Sequence, residues 1–558
     1  MKLLLFSLIL FITLFPNSGF TQGEIYKNGV VVSAHPEASR VGLHVLKKGG
    51  NAIDAAVAVQ FALAVVYPSA GNIGGGGFLV YRSAKGEINS LDFREKAPHK
   101  ATKAMFLDEN GQVNKDKSLY GHLAAGVPGS VDGMVKAHKK YGKLSWRELL
   151  DPAINLAENG FPITSKQAHE LNGMKNEFIT YNPGSIPFVK PSGNWQSGDL
   201  LIQKDLSHTL KLIRDKGRAG FYEGEIARII SEEMMRGKGL ISEKDLKEYQ
   251  SVWRTPITGQ YKNYRIISMP PPSSGGIALV QLLQSVQPYP LKRWGFNTDS
   301  TVQLMVEAER RVYADRSVYL GDPDFFKVPK NQLLNPSYQK NRLSNFNWDK
   351  ATLSSDIQEG VLSGTESEET THFSIVDREG NAASVTTTLN GSFGSLVVVQ
   401  KGGFLLNNEM DDFSAKPGSP NMYGLLGGEA NAIEPGKRML SSMTPTILEK
   451  DSKLFMVVGT PGGSTIITSV FQTILNVIEF DMPIQQAVSA KRFHHQWMPD
   501  IIHTEREAID SKSVSILQNK GFKLVPRSPI GRVDAILITD KGYMGGADPR
   551  GDDSTSGW

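Results

Sequence analysis

The sequence contains no cysteine. Disulfide bonds and a thiol nucleophile are therefore excluded, and so is a lipid anchor attached to a cysteine near the N-terminus. A chain without thiols suits a compartment in which free thiols would oxidise.

The sequence also lacks an excess of charge of one sign. Its 558 residues carry a formal net charge of +4, and acidic and basic residues are mixed along the chain. A charge this small and this dispersed argues against nucleic acid as a partner. Hydrophobic residues make up 40% of the chain and charged residues 21%, which is typical of a globular protein with a sizeable core.

Long apolar runs are absent beyond the N-terminus. Met1 and Lys2 precede an almost wholly apolar run over 3–15, and small residues follow it. This pattern is typical of a secretory signal peptide, and the run is shorter than the roughly 20 residues of a membrane-spanning helix. We predict a signal peptide over 1–21, with an approximate cleavage position. The mature protein is then periplasmic or secreted, with no membrane anchor after signal removal.

Apolar spacing and glycine-rich segments predict the order of helices and strands. A glycine loop over 71–78 leads into a strand at 78–82, and a second strand follows at 91–95. Residues 350–369 are polar, without periodicity, and predict an exposed or mobile linker. The predicted helices cover 35–66 with a break at 47–51, then 149–157, 206–215, 226–235, 277–286 and 302–319.

The segment after the polar linker predicts a β-hairpin. Residues 371–377 and 381–389 read as strands around a turn that closes on Gly380. If Asp377 faces Asn381, then Thr370 faces Thr388 on one face, with Cβ atoms about 5 Å apart. A bulge would shift this register by one residue. Threonines are also simply good strand residues, so the hairpin alone does not establish a site.

Thr370 becomes a candidate nucleophile if the chain is cut directly before it. The cut frees an α-amino group on the residue that carries the hydroxyl, so one residue supplies both nucleophile and base. An unperturbed α-amine has a pKa near 8, which is useful for base catalysis close to neutral pH.

Seven blocks of this sequence, in order, resemble the γ-glutamyltranspeptidase family. Taken together they are far more specific than any single glycine cluster, and the resemblance runs from about residue 27 to the C-terminus. The blocks are 49–56, 74–78, 92–95, 370–374, 405–413, 440–446 and 461–464.

The resemblance implies an N-terminal-nucleophile hydrolase fold of the α+β class. This fold is a four-layer αββα sandwich, formed jointly by two subunits that are cut from one precursor and stay associated as a heterodimer. The matching cut lies between Glu369 and Thr370. It would give a large subunit of residues 22–369 and a small catalytic subunit of residues 370–558.

The resemblance also implies a role for each matching residue. Thr370 is the nucleophile, Thr388 orients it, and Gly462 and Gly463 form the oxyanion hole. The remaining matches bind the γ-glutamyl group: Arg94, Ser441 and Ser442 its carboxylate, Glu409 and Asp412 its ammonium, Asn390 as a further contact, and Tyr423 as part of a lid loop over 416–428. The i, i+3 spacing of Glu409 and Asp412 would put both carboxylates on one side of a helical turn.

The function implied by the resemblance is that of an exported γ-glutamyltransferase and glutathione hydrolase. It would pass the γ-glutamyl group of glutathione and related compounds to water, amino acids or dipeptides. No metal and no organic cofactor is implied, and the pair His494 and His495 is interpreted as structural. Two alternatives stay open: an amidase resembling glutaryl-cephalosporin acylase, which would have no use for Glu409 and Asp412, and an uncleaved, non-catalytic binding protein.

Overall fold

The computed structural model describes residues 24–357, 370–416, 419, 421–422 and 424–558. The predicted signal peptide, Glu369 and Tyr423 lie outside the described residues. Among the helices that are described, none combines the length and the hydropathy of a membrane-spanning segment.

The strands of the described residues form two large sheets and two small ones. In chain order they are β1 (Ile25–Tyr26), β2 (Val30–Ser33), β3 (Gly76–Arg82), β4 (Ile88–Asp92), β5 (Phe161–Pro162), β6 (Leu200–Leu201), β7 (Val252–Arg254), β8 (Ile257–Tyr261), β9 (Tyr264–Ser268), β10 (Thr371–Val376), β11 (Ala382–Thr388), β12 (Thr446–Lys450), β13 (Lys453–Gly459), β14 (Phe493–His494), β15 (Ile502–Thr504), β16 (Leu524–Pro526), β17 (Asp534–Thr539), β18 (Gly542–Gly546) and β19 (Ser554–Gly557).

The α-helices lie mostly on the outer faces of the two large sheets. In chain order they are α1 (Pro36–Lys47), α2 (Ala52–Val66), α3 (Lys115–Leu119), α4 (Ser130–Tyr141), α5 (Trp146–Asn159), α6 (Ser165–Gly173), α7 (Lys175–Tyr181), α8 (Lys204–Lys216), α9 (Ala219–Tyr222), α10 (Gly224–Arg236), α11 (Glu243–Glu248), α12 (Gly275–Val286), α13 (Leu291–Trp294), α14 (Asp299–Tyr319), α15 (Lys330–Leu333), α16 (Pro336–Arg342), α17 (Thr465–Ile478), α18 (Ile484–Ser489) and α19 (Ser511–Asn519).

The two large sheets stack face to face to form a four-layer sandwich. Within the described residues each has seven strands, in the orders β19-β2-β10-β11-β3-β4-β7 (sheet I) and β1-β18-β17-β13-β12-β9-β8 (sheet II). Val32 and Phe78 of sheet I and Ile267 and Val457 of sheet II share one apolar cluster between them. Helices including α2 cover the outer face of sheet I, α12 and α17 cover that of sheet II, and α14 packs on α12. The predicted αββα architecture is confirmed.

The hairpin formed by β10 and β11 has the predicted register. Thr371 pairs with Thr387, and the pairing continues without a bulge to Val376 and Ala382. One face of the hairpin packs against α2 through residues such as Phe373. The opposite face contacts sheet II. The turn geometry therefore sets which side chains face the space between the sheets.

The predicted helices are all present, with ends that differ by a few residues. The break predicted between 47 and 51 separates α1 from α2, and the Asn51 side chain caps the second helix together with Asp54. The predicted linker over 350–369 is wrong at Ser354. This residue is buried, its hydroxyl donates to the Trp497 carbonyl at 2.6 Å, and its N–H donates to Asp500 at 2.8 Å. Residues 358–369 lie outside the described part of the chain.

Both sheets combine strands from the two sides of residue 370. Sheet I takes β2, β3, β4 and β7 from before it and β10, β11 and β19 from after it. The C-terminal carbonyl of Trp558 also accepts hydrogen bonds from the N–H groups of Lys27 and Asn28, both at 2.8 Å. Neither part of the chain therefore forms either sheet alone.

Candidate active site

Thr370 lies directly before β10, opposite Thr388 at the end of β11. Their hydroxyl oxygens are 3.3 Å apart, and both residues are buried. The Thr388 hydroxyl also accepts a hydrogen bond from the Asn390 N–H at 2.7 Å. The extended register of the hairpin brings together two hydroxyls that are 18 residues apart in the sequence.

His372 lies on the same hairpin face as Thr370 but is held between other hydroxyls. Its Nδ1 lies 2.8 Å from Thr386 Oγ1 and its Nε2 lies 3.0 Å from Ser374 Oγ. Burial lowers the pKa of His372 to about 3, so the imidazole is neutral and a weak base. This geometry agrees with a mechanism that needs no histidine.

Gly462 and Gly463 lie between β13 and α17, beside Thr370. Their φ angles are +136° and +53°, a region that favours glycine. A Cβ at Gly462 would lie 2.4 Å from Thr465 Oγ1, so any side chain there would displace this turn. The two glycines also precede the N-terminus of a 14-residue helix, where backbone amides favour negative charge.

A pocket of about 280 Å³ opens on one side of Thr370. It brings together nine of the predicted site residues. The pocket is lined by Arg94, Arg316, Thr370, Thr388, Asn390, Glu409, Asp412, Leu425, Ser441, Ser442, Met443, Gly463 and Ile466. Gly462 lines a second pocket, which also includes Thr370.

Arg94 is fully buried and forms ion pairs with the predicted acids. Its Nη1 lies 2.6 Å from Glu409 Oε2, its Nη2 pairs with Asp412, and Glu95 lies 3.6 Å away. Glu409–Asp412 forms a 3₁₀ turn, so both carboxylates lie on one side of it, as their spacing predicts. The side chain of Asn407 fixes this turn by accepting from the Glu409 N–H at 3.0 Å.

The charges of this cluster perturb each other strongly. Burial alone lowers the pKa of Arg94, but Glu409, Asp412 and Glu95 outweigh it and raise this pKa above its ordinary value. Burial raises the pKa of Glu409 well above its ordinary value, although Arg94 opposes the shift. It also raises the pKa of Glu95 to about 8. Three carboxyl groups surround one guanidinium, so the cluster favours keeping a proton.

Arg316 is a second buried cation in the pocket, and the sequence analysis missed it. Its Nε donates to Ser274 Oγ at 3.0 Å and its Nη2 donates to Ser442 Oγ at 3.1 Å. Among the described residues it forms no ion pair, and burial lowers its pKa to about 10. The sequence did contain one sign that Arg316 is buried. It lies three residues after Tyr313 and four after Val312, which places it on the apolar stripe of a predicted helix.

The remaining predicted residues complete the pocket wall. Ser441 Oγ accepts from the Met443 N–H at 3.1 Å, and its carbonyl accepts from Ser274. Asn390 has φ +75°, a conformation that asparagine tolerates better than most residues, and its side chain donates to the Asn408 carbonyl at 3.1 Å. Gly75 approaches β11 so closely that a Cβ there would lie 2.1 Å from the Thr388 carbonyl oxygen.

His494 and His495 lie away from this pocket and contact different partners. His494 lies 2.8 Å from Thr468 Oγ1, whereas His495 lies 3.2 Å from Asp500 Oδ1. Burial lowers the pKa of both, that of His495 to about 4. Their contacts agree with the structural interpretation of this pair.

Comparison with known proteins gives consistent matches over nearly the whole chain. The family model described as gamma-glutamyltranspeptidase matches residues 38–558. A glutathione hydrolase proenzyme of Escherichia coli (strain K12) is 46% identical over 535 residues, which cover 95% of this chain and 92% of the relative.

Solved structures agree with the fold. A chain of the Helicobacter pylori gamma-glutamyltranspeptidase is 49% identical, with a TM-score of 0.58, and covers 59% of this chain and 94% of its own length. The cephalosporin acylase from Bacillus halodurans is 26% identical, with a TM-score of 0.85, and covers 99% of both chains. With the four-layer architecture, these matches confirm the predicted N-terminal-nucleophile hydrolase fold.

Proposed function

The chain belongs to the gamma-glutamyltranspeptidase family, and on this premise we propose that it is a self-processed, exported γ-glutamyltransferase and glutathione hydrolase. One observation carries the proposal. The paired hydroxyls of Thr370 and Thr388 border a buried pocket that presents both cations and acids, which complement a group carrying a carboxylate and an ammonium on one carbon.

Processing is the first step of the proposal. The Thr370 hydroxyl attacks the carbonyl carbon of Glu369, the amide C–N bond breaks, and an ester forms. Water then hydrolyses the ester and releases the α-amine of Thr370. The products are a large subunit of 22–369 and a small subunit of 370–558. The sharing of strands in both sheets supports their staying together as a heterodimer.

In the first half-reaction, Thr370 attacks the γ-amide carbon of the donor. The freed α-amine takes the hydroxyl proton and passes it to the leaving nitrogen as the C–N bond breaks. The developing oxyanion is stabilised by backbone N–H groups at Gly462 and Gly463, which the helix N-terminus supports. Thr388 donates to or accepts from Thr370 Oγ1 and holds its rotamer.

Two sets of residues in the pocket bind the two charged groups of the substrate. The carboxylate binds Arg94 and Arg316 with the hydroxyls of Ser441 and Ser442. The ammonium binds Glu409 and Asp412, which Arg94 already holds in place. Asn390 is a further contact, and Tyr423 covers the bound group.

In the second half-reaction the γ-glutamyl ester on Thr370 is resolved. Attack by water gives glutamate, and attack by the amine of an amino acid or dipeptide gives a new γ-glutamyl amide. In both cases the ester C–O bond breaks and the threonine hydroxyl recovers its proton. No step requires a metal or an organic cofactor.

Two rival functions are separable from this one. The substrate of an amidase resembling glutaryl-cephalosporin acylase would lack the ammonium that Glu409 and Asp412 would bind. Comparing hydrolysis of γ-glutamyl and glutaryl anilides distinguishes them. A non-catalytic binding protein would give one uncut band on a denaturing gel. Export through residues 1–21 is checked by the N-terminal sequence of the mature large subunit.

The direct test of the proposal is Thr370→Ala, with Thr371→Ala as matched control. Thr371 is the adjacent residue, but its side chain lies on the opposite face of the hairpin. We expect Thr370→Ala to remain one uncut chain without γ-glutamyl anilide hydrolysis. Thr371→Ala is expected to give two subunits, the smaller beginning at residue 370. Normal processing or turnover in Thr370→Ala would disprove the assignment.

A further inference from the structure

A second pocket, of about 570 Å³, also has Thr370 in its lining. Thr370 lines both pockets, whereas Gly463 lines only the first and Gly462 only the second. If the first pocket holds the γ-glutamyl group, the second faces whatever lies across the scissile bond. Its lining residues are Tyr67, Lys166, Thr370, Pro461, Gly462, Pro529, Gly531, Arg532 and Arg550.

Among the described residues, the lining of this second pocket includes three cations and no carboxylate. Two of the cations already form ion pairs with acids that do not line the pocket. Arg550 contacts both oxygens of Glu505, at 2.7 and 2.5 Å. Arg532 lies 2.9 Å from Asp553, and its Nη1 donates to the Tyr67 hydroxyl at 2.8 Å. These two arginines are therefore fixed parts of the wall.

Lys166 differs from the two arginines in its surroundings. It lies in the first turn of α6, and the only described carboxylate within ion-pair range is Glu170, at 3.9 Å. This distance is too long for a hydrogen bond. Burial raises the pKa of Glu170, although Lys166 and Arg532 oppose the shift and Asp552 adds to it. Among the described residues, no carboxylate is therefore hydrogen-bonded to the ammonium of Lys166.

We propose that the second pocket binds the leaving group and the acceptor, and that Lys166 selects those that end in a free carboxylate. The inference rests on the proposed function, because it needs a γ-glutamyl ester on Thr370. The acceptor amine attacks the ester carbon, the bond to Thr370 Oγ1 breaks, and the amine proton returns to that oxygen. The acceptor carboxylate meanwhile contacts Lys166 in the wall of the pocket.

The experiment removes each partner of the proposed ion pair in turn: the carboxylate of the acceptor and the ammonium of Lys166. The processed heterodimer is supplied with a γ-glutamyl anilide as donor and either glycylglycine or glycylglycine amide as acceptor. For the unsubstituted enzyme we expect kcat/KM for transfer to be about tenfold higher for the free carboxylate, the size of one charge-assisted hydrogen bond. In Lys166→Gln the preference is expected to fall to about one, and Lys166→Arg is expected to restore part of it.

Lys211→Gln is the matched control. Lys211 lies on α8, pairs with Glu158 at 2.7 Å, and has a side chain as exposed as that of Lys166, 37% against 38%. It lines neither pocket, so its replacement is expected to keep the tenfold preference. Subunit content on a denaturing gel and the melting temperature check that each variant is folded and processed.

The outcomes separate this inference from the function on which it rests. If the unsubstituted enzyme does not hydrolyse the anilide, the proposed function fails. If it hydrolyses the anilide but does not distinguish the two acceptors, only the inference is overturned. Retention of the full preference by Lys166→Gln also overturns it, since another group would then hold the carboxylate.

Discussion

Helices α2 and α14 cover opposite faces of the sandwich, and both are buried, yet their residues differ sharply. All fifteen residues of α2 are buried, and its only ionisable side chain is the capping Asp54. The buried part of α14 includes six ionisable groups besides Tyr313: Glu307, Glu309, Arg310, Arg311, Asp315 and Arg316. Burying apolar surface stabilises a fold, whereas burying charge costs free energy unless partners compensate.

This difference shows which helix supports the hairpin and which contributes to the pocket. Helix α2 packs behind β10 and β11, and its Gln60 reaches the Thr387 hydroxyl at 3.3 Å. Helix α14 delivers Arg316 into the first pocket. Its other charges pair either within the helix, as Arg311 does with Glu307 at 2.6 Å, or with other segments, as Asp315 does with Arg342 at 3.0 Å. Three substitutions test this contrast.

Replacing Arg316 tests the contribution of α14 to the site. In Arg316→Met the substrate carboxylate loses a buried cation, which costs about 2–5 kcal/mol. We therefore expect kcat/KM for a γ-glutamyl anilide to fall by a factor of about 30 or more. Arg316→Lys keeps the charge but loses the planar fork, so its loss is expected to be intermediate. Unchanged kinetics in a folded Arg316→Met variant would exclude Arg316 from substrate binding.

Replacing Phe61 tests the purely structural role of α2. Phe61 is buried and packs edge-on against Trp146. Phe61→Ala is expected to lower the free energy of unfolding by about 3–5 kcal/mol through the cavity it leaves. The kcat/KM of the remaining folded protein should stay close to that of the unsubstituted enzyme. Denaturant titration and active-site-normalised kinetics check both, and a large loss of kcat/KM would mean that α2 also shapes the pocket.

The third substitution tests whether a buried acid on α14 makes stability depend on pH. Glu309 is fully buried, its Oε2 accepts from the His495 N–H at 3.0 Å, and burial raises its pKa well above the ordinary value. Its protonated form therefore stabilises the fold fully below the unfolded pKa of about 4.3, and this contribution falls as pH rises toward the folded pKa. Glu309→Gln is expected to remove this decrease in stability with rising pH, because glutamine does not ionise.

The measurement compares the melting temperatures of both proteins at pH 5 and pH 8. The melting temperature of Glu309→Gln, relative to that of the unsubstituted protein, is expected to be higher at pH 8 than at pH 5. Phe61→Ala serves as the control, because it removes no ionisable group and its deficit should be similar at both values. Parallel behaviour of Glu309→Gln and the unsubstituted protein would show that Glu309 does not titrate differently on folding.

Much of the fold followed from local patterns. The register that puts Thr370 opposite Thr388 follows from the short turn that closes on Gly380, because strand pairing next to a tight turn has few alternatives. The break between α1 and α2 follows from two adjacent glycines and the capping residue Asn51. The roles of Arg94, Glu409 and Asp412 came only from the resemblance to a family, and they stay proposals.

The sequence by itself determined the elements, the hairpin register and the pairing of two threonine hydroxyls. Only the tertiary structure decided that Arg316 joins Thr370 in lining the first pocket and that Lys166 joins it in lining the second. Local periodicity and turn geometry depend on neighbouring residues. Arg316 and Ser442, in contrast, are 126 residues apart and meet only because α14 packs on α12, next to the segment that precedes β12. Such contacts depend on how the sheets and helices stack, which no local pattern records.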